Sequence, residues 1–296
     1  MADTENAYLT TRELAALLRI KERKVYDLAA SGQIPCSRAM GKLLFPRKAI
    51  EAWIAGESIN PDAVTPKSRP PVFLGSYEPL LEWALRESGC GLATLLDGSL
   101  DGLRRFVANE GVAAGLHVYD AADDSWNVRA VGEALRDAPV VLIEFAWRER
   151  GLIVAPGKER AFPDAAALRG HRVVPRQAGA GSQVLLEQLI AKSAVGRDEV
   201  DWAATARTES DAALAVLEGK AEAALGLRAM AEQLRLGFVP LLRERYDLLV
   251  DRAAWFDPPL QKLIAFCRSP AFVARAADFA GYDVSGFGTV WFNGSN

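Results

Sequence analysis

The sequence predicts an α/β protein in two parts, a small N-terminal helical module with a short hairpin and a larger two-lobed α/β domain. Three observations carry that reading. Residues 9–54 set three short amphipathic stretches around one hairpin pattern. Residues 57–71 lose all periodicity and hold Pro61, Pro66, Pro70 and Pro71, the composition of a linker stiffened toward polyproline II. From residue 72 onward, apolar runs of strand length alternate with amphipathic stretches of helix length, which predicts largely parallel sheets covered by helices. The expected boundaries are 1–56 for the module, 57–71 for the linker and 72–296 for the larger domain. Its first lobe takes 72–148 with 247–296, and its second takes 152–242.

In the module, Thr10 and Glu13 have capping-box spacing, so the first helix is expected to begin at Thr11 with Leu14, Leu17 and Leu18 on its inner face. After a break at Arg19-Ile20, Val25, Leu28 and Ala29 form the inner stripe of a second helix, whose first turn carries Lys21, Arg23 and Lys24. Cations at the start of a second helix are the mark of a helix-turn-helix, where base edges and phosphates are reached. Residues 34–38, a turn at Met40-Gly41-Lys42 and then Leu43-Leu44-Phe45 predict a hairpin wing. Pro46 is expected as the first residue of a closing helix with Ala49, Ile50, Trp53 and Ile54 on its apolar side.

Charge agrees with that assignment. Residues 19–48 hold eight basic residues (Arg19, Lys21, Arg23, Lys24, Arg38, Lys42, Arg47, Lys48) against Glu22 and Asp27, inside a chain of net charge −3. One surface can therefore neutralise phosphates while the remainder stays acidic. The residues expected to meet duplex DNA are Thr11, Arg12, Lys21, Arg23, Lys24, Tyr26, Arg38 and Lys42. The alternative is a small helical domain with a solvated basic face.

A composition of 50% hydrophobic and 25% charged residues fits a soluble chain of two or three structural units. The opening Met1-Ala2-Asp3-Thr4-Glu5-Asn6 has neither a basic start nor an apolar run, so a cytoplasmic location is expected. The longest apolar stretch, 138–147, is interrupted by Glu144 and too short to span a bilayer; it should be a buried strand. Cys36, Cys90 and Cys267 are scattered and odd in number, which suits buried small residues in a reducing compartment. With His117 and His171 as the only imidazoles, no zinc or iron site is expected.

In the larger domain, strands are expected at 72–74, 92–96 and 113–118, each followed by a helix, and then at 140–147, 152–155 and 172–174. Helices at 182–190 and 212–217, strands at 223–227, 238–242 and 246–250, and helices at 260–266 and 272–279 complete it. Open α/β sheets take ligands at the carboxyl ends of strands, against helix N-termini. Three polar loops stand at such places: Gly75-Ser76-Tyr77, Asp97-Gly98-Ser99, and residues 176–182. Each reads either as a turn with an N-cap or as an anion cradle, and Arg176 favours the cradle in the third because it adds a fixed cation.

Two resemblances sharpen the reading. Leu9-Thr10-Thr11-Arg12-Glu13-Leu14-Ala15 and Leu43-Leu44-Phe45-Pro46-Arg47-Lys48-Ala49-Ile50 resemble the excisionase and MerR-type winged helix-turn-helix family. Residues 176–188, 207–226 and 244–250 resemble the type 2 periplasmic-binding-protein-like domain related to molybdate and tungstate receptors, a similarity covering nearly all of 73–292. The second resemblance implies two lobes that close on a ligand about crossover segments at 146–154 and 238–250, with Gly115-Leu116-His117 and Trp126-Asn127 facing the cleft. The polar loops and the resemblance together make Ser76, Ser99, His117, Arg176, Gly181, Ser182 and Tyr246 the expected ligand contacts, and the resemblance implies molybdate, tungstate or a molybdenum-cofactor species as a non-covalent effector. A larger anion or an organic acid stays open beside a tetrahedral oxyanion. Without the resemblance, a lone histidine ending a strand reads as structural.

No catalytic residue is expected. Glu209 and Asp211 stand i, i+2 at a helix start and serve its dipole, with Ser210 as N-cap. Ser182 lacks a histidine at a recognisable spacing and sits in no Gly-x-Ser-x-Gly elbow. Trp83, Trp147, Trp255 and Trp291 lie in apolar surroundings and are expected to pack. The sequence thus predicts a ligand-responsive transcription regulator, homo-oligomeric because so small a module reads few base pairs alone. The alternatives are a binding or delivery protein for a molybdenum species, whose module docks a protein, and then an enzyme.

Overall fold

In the computed structural model, residues 7–39, 42–54 and 69–295 are described, and the chain divides into two units, 1–68 and 69–296. The first contains β1 (Tyr8–Thr10), α1 (Thr11–Leu18), α2 (Glu22–Ala30), β2 (Ser37–Ala39), β3 (Lys42–Pro46) and α3 (Arg47–Ile54). Thr10 closes both halves of the capping box, its hydroxyl accepting the Glu13 N–H at 3.3 Å while its own N–H donates to the Glu13 carboxylate at 2.7 Å. Arg19 then enters the left-handed region at φ 56° and turns the chain toward α2. Leu9, Leu14, Ala15, Val25, Ile34, Phe45 and Ile50 form the core.

Expectations for this unit are corrected at Ile54, which is exposed although the sequence pattern puts it on the apolar side of α3, and at Leu17 and Pro46. Leu17 is exposed, because Leu14, Ala15 and Leu18 take the inward positions of α1. Pro46 closes β3 instead of opening α3: it stands opposite Tyr8 in the ladder with β1, a three-residue strand too short to show in the sequence pattern. Proline suits that place, since it can end a strand without owing the ladder a donor. Of the expected linker, residues 57–68 lie outside the described residues. Arg69 belongs to the larger unit, where it pairs with Asp251 at 3.1 Å and donates to the carbonyls of Phe106 and Gly111.

The larger unit runs β4 (Val72–Gly75), α4 (Pro79–Glu87), β5 (Ala93–Leu95), α5 (Ser99–Val107), β6 (Ala113–Leu116), the hairpin β7 (Tyr119–Asp120) and β8 (Ser125–Trp126), α6 (Val128–Leu135) and β9 (Val140–Val154). It continues through β10 (Arg172–Val174), α7 (Gly181–Lys192), β11 (Asp201–Trp202), α8 (Glu209–Leu217), β12 (Ala223–Leu227), α9 (Arg228–Gln233) and β13 (Gly237–Asp251). Helices α10 (Pro258–Cys267) and α11 (Pro270–Ala277) and strands β14 (Tyr282–Asp283) and β15 (Val290–Asn293) close it. Among the described residues one sheet has the order β11-β10-β12-β9-β13-β6-β4-β5, with β14 and β15 also on β9.

Parallel ladders join β5-β4-β6 in one lobe and β11-β10-β12 in the other, as the alternating pattern predicts. The crossovers differ from expectation. Stretches 140–147 and 152–155 are one strand, and 238–242 and 246–250 are another; the two run antiparallel from Gly237 opposite Val154 to Asp251 opposite Val140. Irregularities at Pro240/Leu242 and Tyr246/Asp247 absorb the twist of so long a pair. Phe73, Leu81, Phe145 and Leu263 pack on one side of the first lobe's sheet, and Leu74, Phe106, Leu142 and Leu249 on the other, as strand alternation requires. Leu152, Val173 and Leu185, and separately Ile153, Val174 and Ala213, do the same in the second lobe. No helix among the described residues is long and apolar enough to cross a membrane.

Candidate functional site

On the first unit, Lys21 stands at the position before α2 without a side-chain capping bond, and Arg23, Lys24 and Tyr26 project from the helix, all exposed, while Val25 is fully buried. Arg12 and Lys42 are exposed as well. Thr11 is corrected: it is buried at the start of α1 and turned away from solvent. Ala39 and Lys42 flank the wing tip; Met40-Gly41 and the Arg38 side chain lie outside the described residues.

In the larger unit the predicted ligand residues converge where the two lobes meet. Ser76, after β4, lies 2.9 Å from the Ser99 hydroxyl at the start of α5. Ser99 Oγ accepts the His117 N–H at 3.0 Å, and His117 Nε2 stands 3.1 Å from Ser76 Oγ. Tyr246 stacks on the imidazole with ring centroids 5.8 Å apart and donates to the Ser76 carbonyl at 2.6 Å. From the other lobe Gly181 starts α7 directly against this group, where a Cβ would meet the His117 carbonyl oxygen at 2.5 Å and Nδ1 at 2.9 Å. Only glycine permits that approach. Leu100 N–H donates to the Gly179 carbonyl at 3.2 Å and Gln177 to the Asp97 carbonyl at 3.0 Å, so the lobes are closed on one another.

The group at the centre was not legible as a site. Alternation along β9 turns Arg148 and Arg150 into the closed cleft, 1% and 0% exposed, while Trp147 and Glu149 face outward. Glu244 stands opposite Arg148 in the β9–β13 register. Its carboxylate binds Arg148, Arg150 at 3.2 Å and His117 Nδ1 at 3.0 Å. Arg150 also donates to Ser182 Oγ and, at 2.7 Å, to Glu209. Glu78, the N-cap of α4, stands 3.7 Å from Arg148 and accepts the Tyr282 hydroxyl. The signal available was Arg148-Glu149-Arg150 and Arg243-Glu244-Arg245 interrupting what prove to be the two longest strands among the described residues.

Arg176 and Glu209 take different roles from those expected. Arg176 bonds the Ala206 carbonyl at 3.1 Å, the Arg207 carbonyl at 2.7 Å and Glu209 at 2.9 Å, so its guanidinium anchors the loop before α8 instead of standing free in an anion nest. Glu209 is 3% exposed and accepts from Arg150, Arg176 and Ser182. Thr208, not Ser210, caps α8, in a capping box with Asp211.

Burial alone would push these carboxyls up, and their partners decide the outcome. For Glu244, Arg148, Arg150 and His117 outweigh burial and hold it well below the usual range. Arg150, Arg176 and Ser182 likewise outweigh burial at Glu209 and lower it. Burial raises Glu78 and lowers His117 despite Arg148 and Glu244 respectively.

Asp247 lies beside this group, bonded by Arg245 Nε at 2.9 Å and Asn127 Nδ2 at 2.7 Å, yet burial pushes it up to about 7. The folded protein therefore binds a proton that the unfolded chain has already lost, and this residue makes stability fall as pH rises from about 4 to about 7. Urea unfolding of wild type and Asp247→Asn across that range should show the wild type losing ground to the variant by an amount of the order of 3–4 kcal/mol. A difference independent of pH would mean that Arg245 keeps the carboxylate ionised throughout.

Comparisons with known proteins fit this architecture. The model of the helix-turn-helix domain matches residues 8–58, and that of the PBP (periplasmic-binding-protein) superfamily domain matches residues 82–268. The uncharacterised protein YvgK of Bacillus subtilis (strain 168) is 25% identical over 97% of this chain and 98% of its own length. A protein described as a phosphate ABC-transporter substrate-binding protein of Clostridium perfringens, solved with bound phosphate, superposes with a TM-score of 0.52 at 10% identity, over 72% of this chain and 99% of that one. The tungstate ABC transporter structure of Geobacter sulfurreducens gives 0.51 at 14%, over 70% and 98%. These two likenesses are of fold. With its N-terminal helix-turn-helix domain followed by two lobes joined through paired long strands, and with the family model matching more than half its length, the chain belongs to the PBP superfamily.

Proposed function

We propose that this protein is a ligand-responsive transcription regulator, in which the helix-turn-helix domain binds duplex DNA and the cleft of the PBP domain senses a small anionic ligand. One observation carries the reading: a DNA-binding type of domain and a binding-protein domain with an arginine-bearing interlobe site stand in one chain. Molybdate, tungstate or a molybdenum-cofactor species are the first candidates, from the resemblance of the sequence; one fold neighbour is named for tungstate. The ligand acts by favouring one arrangement of the lobes over another, since equal affinity for both would regulate nothing. The protein works in the cytoplasm as a homo-oligomer, two copies of the module reading paired half-sites.

Fluorescence anisotropy with duplex DNA tests the first half: the full chain should bind at low salt and release steeply as salt rises. Native mass spectrometry of the purified protein should then reveal the bound species, and stripping and restoring it should change DNA affinity about 5- to 150-fold. Failure to bind DNA at low salt would favour a binding or delivery protein instead. DNA affinity indifferent to the restored ligand would remove the sensing role.

A further inference from the structure

We propose that an apolar groove on the first lobe, remote from the ligand cleft, is the contact between two copies of this chain related by a twofold axis. This rests on the homo-oligomeric reading above and says where its interface lies.

The groove has a volume of about 290 Å³ and is walled by Val141 and Ile143 of β9, Val290 of β15, and Trp255 and Phe256 before α10, with Arg268 just after that helix. Phe256 is 79% exposed, more than any other large apolar side chain among the described residues, and Val290 is exposed as well. A phenyl ring standing in water beside an apolar groove marks a surface that another molecule covers, and phenylalanine and arginine are both favoured at such contacts. A groove that carries its own knob fits a second copy. In a twofold contact each Phe256 enters the groove of the other chain, residue i meeting j while j meets i.

Charge is the second ground. Asp257 follows Phe256 and begins α10 without a side-chain capping bond, and Arg268 ends the same helix. Both are exposed, and neither side chain has a hydrogen bond or ion pair among the described residues. The helix holds them about 16 Å apart, too far to pair within one chain. Across a twofold axis with the two helices antiparallel, Asp257 meets the partner's Arg268 and Arg268 meets the partner's Asp257, so the knob and the groove carry matching charges. The position of the interface also suits the DNA reading. Arg69, where the chain enters this unit, pairs with Asp251 at 3.1 Å, and Asp251 precedes Arg252, a further residue of the groove. A twofold axis here brings the two entry points beside one another, as modules reading paired half-sites need.

Sedimentation velocity of the full-length protein over a range of concentrations tests this. Wild type should sediment as a dimer, and Phe256→Glu, which puts a charge where the phenyl ring enters the groove, should weaken that dimer by about tenfold or more. Asp257→Arg and Arg268→Glu each set like charges against one another and should weaken it by a similar factor. The two together restore the pairing and should return the dimer to near wild-type strength. All three positions are exposed, so circular dichroism should not change, and the charge reversal stands by itself should Phe256→Glu not fold. A dimer that resists Phe256→Glu, or a double variant no tighter than its single variants, would overturn the interface and leave the homo-oligomeric reading standing. A wild type that is monomeric at every concentration would overturn both.

Discussion

Glu244→Gln is expected to destabilise the larger unit by about 3–5 kcal/mol, the usual cost of removing one member of a buried ionic group. The carboxylate is fully buried and is shared by Arg148, Arg150 and His117. Glutamine keeps the shape and one acceptor but leaves the two guanidinium groups with less charge than they need. In a thermal melt this corresponds to a midpoint lowered by roughly 6–20 °C for a unit of this size. The net contribution of the whole network is a separate matter, because burying three arginines and three glutamates costs desolvation as well. A double-mutant cycle with Arg148→Met separates the two: the pair should lose less than the sum of its single variants, since each removes the other's partner. A melt unchanged by Glu244→Gln would show that the cluster is solvated in the working protein.

Replacing Arg23 and Lys24 together by alanine should weaken duplex binding by about tenfold or more at moderate salt and flatten its log–log salt dependence by about one to two. Both side chains are exposed on α2, and the core of the first unit is built from other positions, so the fold should persist by circular dichroism. Affinity and slope both unchanged would move the DNA face elsewhere on the module.

Much of this molecule was legible in local pattern. The Thr10–Glu13 capping box, the inner stripe of α2 and the alternation of strands and helices are short-range regularities, and the observed elements follow them closely. The three serine-bearing loops were legible for the same reason, being small and polar at the ends of apolar runs. What escaped was whatever depended on pairing over long separations. Arg148 and Glu244 stand 96 residues apart and look, each in its own stretch, like ordinary interruptions of an apolar strand. Because charges at 148–150 and 243–245 interrupt the apolar runs of β9 and β13, the very residues that line the cleft conceal the continuity of its backbone.

The sequence by itself determined the presence of two domains, their main helices and parallel strands and the loops that reach the cleft, because helix caps, amphipathic period and strand alternation act between near neighbours. Only the tertiary structure decided which charges are buried. Arg176, conspicuous in its loop, is absorbed by the carbonyls of Ala206 and Arg207, while Arg148 and Arg150 become central. Whether a guanidinium is an exposed cation or a buried partner depends on what the other lobe brings opposite it, and that is set by the register of two strands nearly a hundred residues apart in the chain.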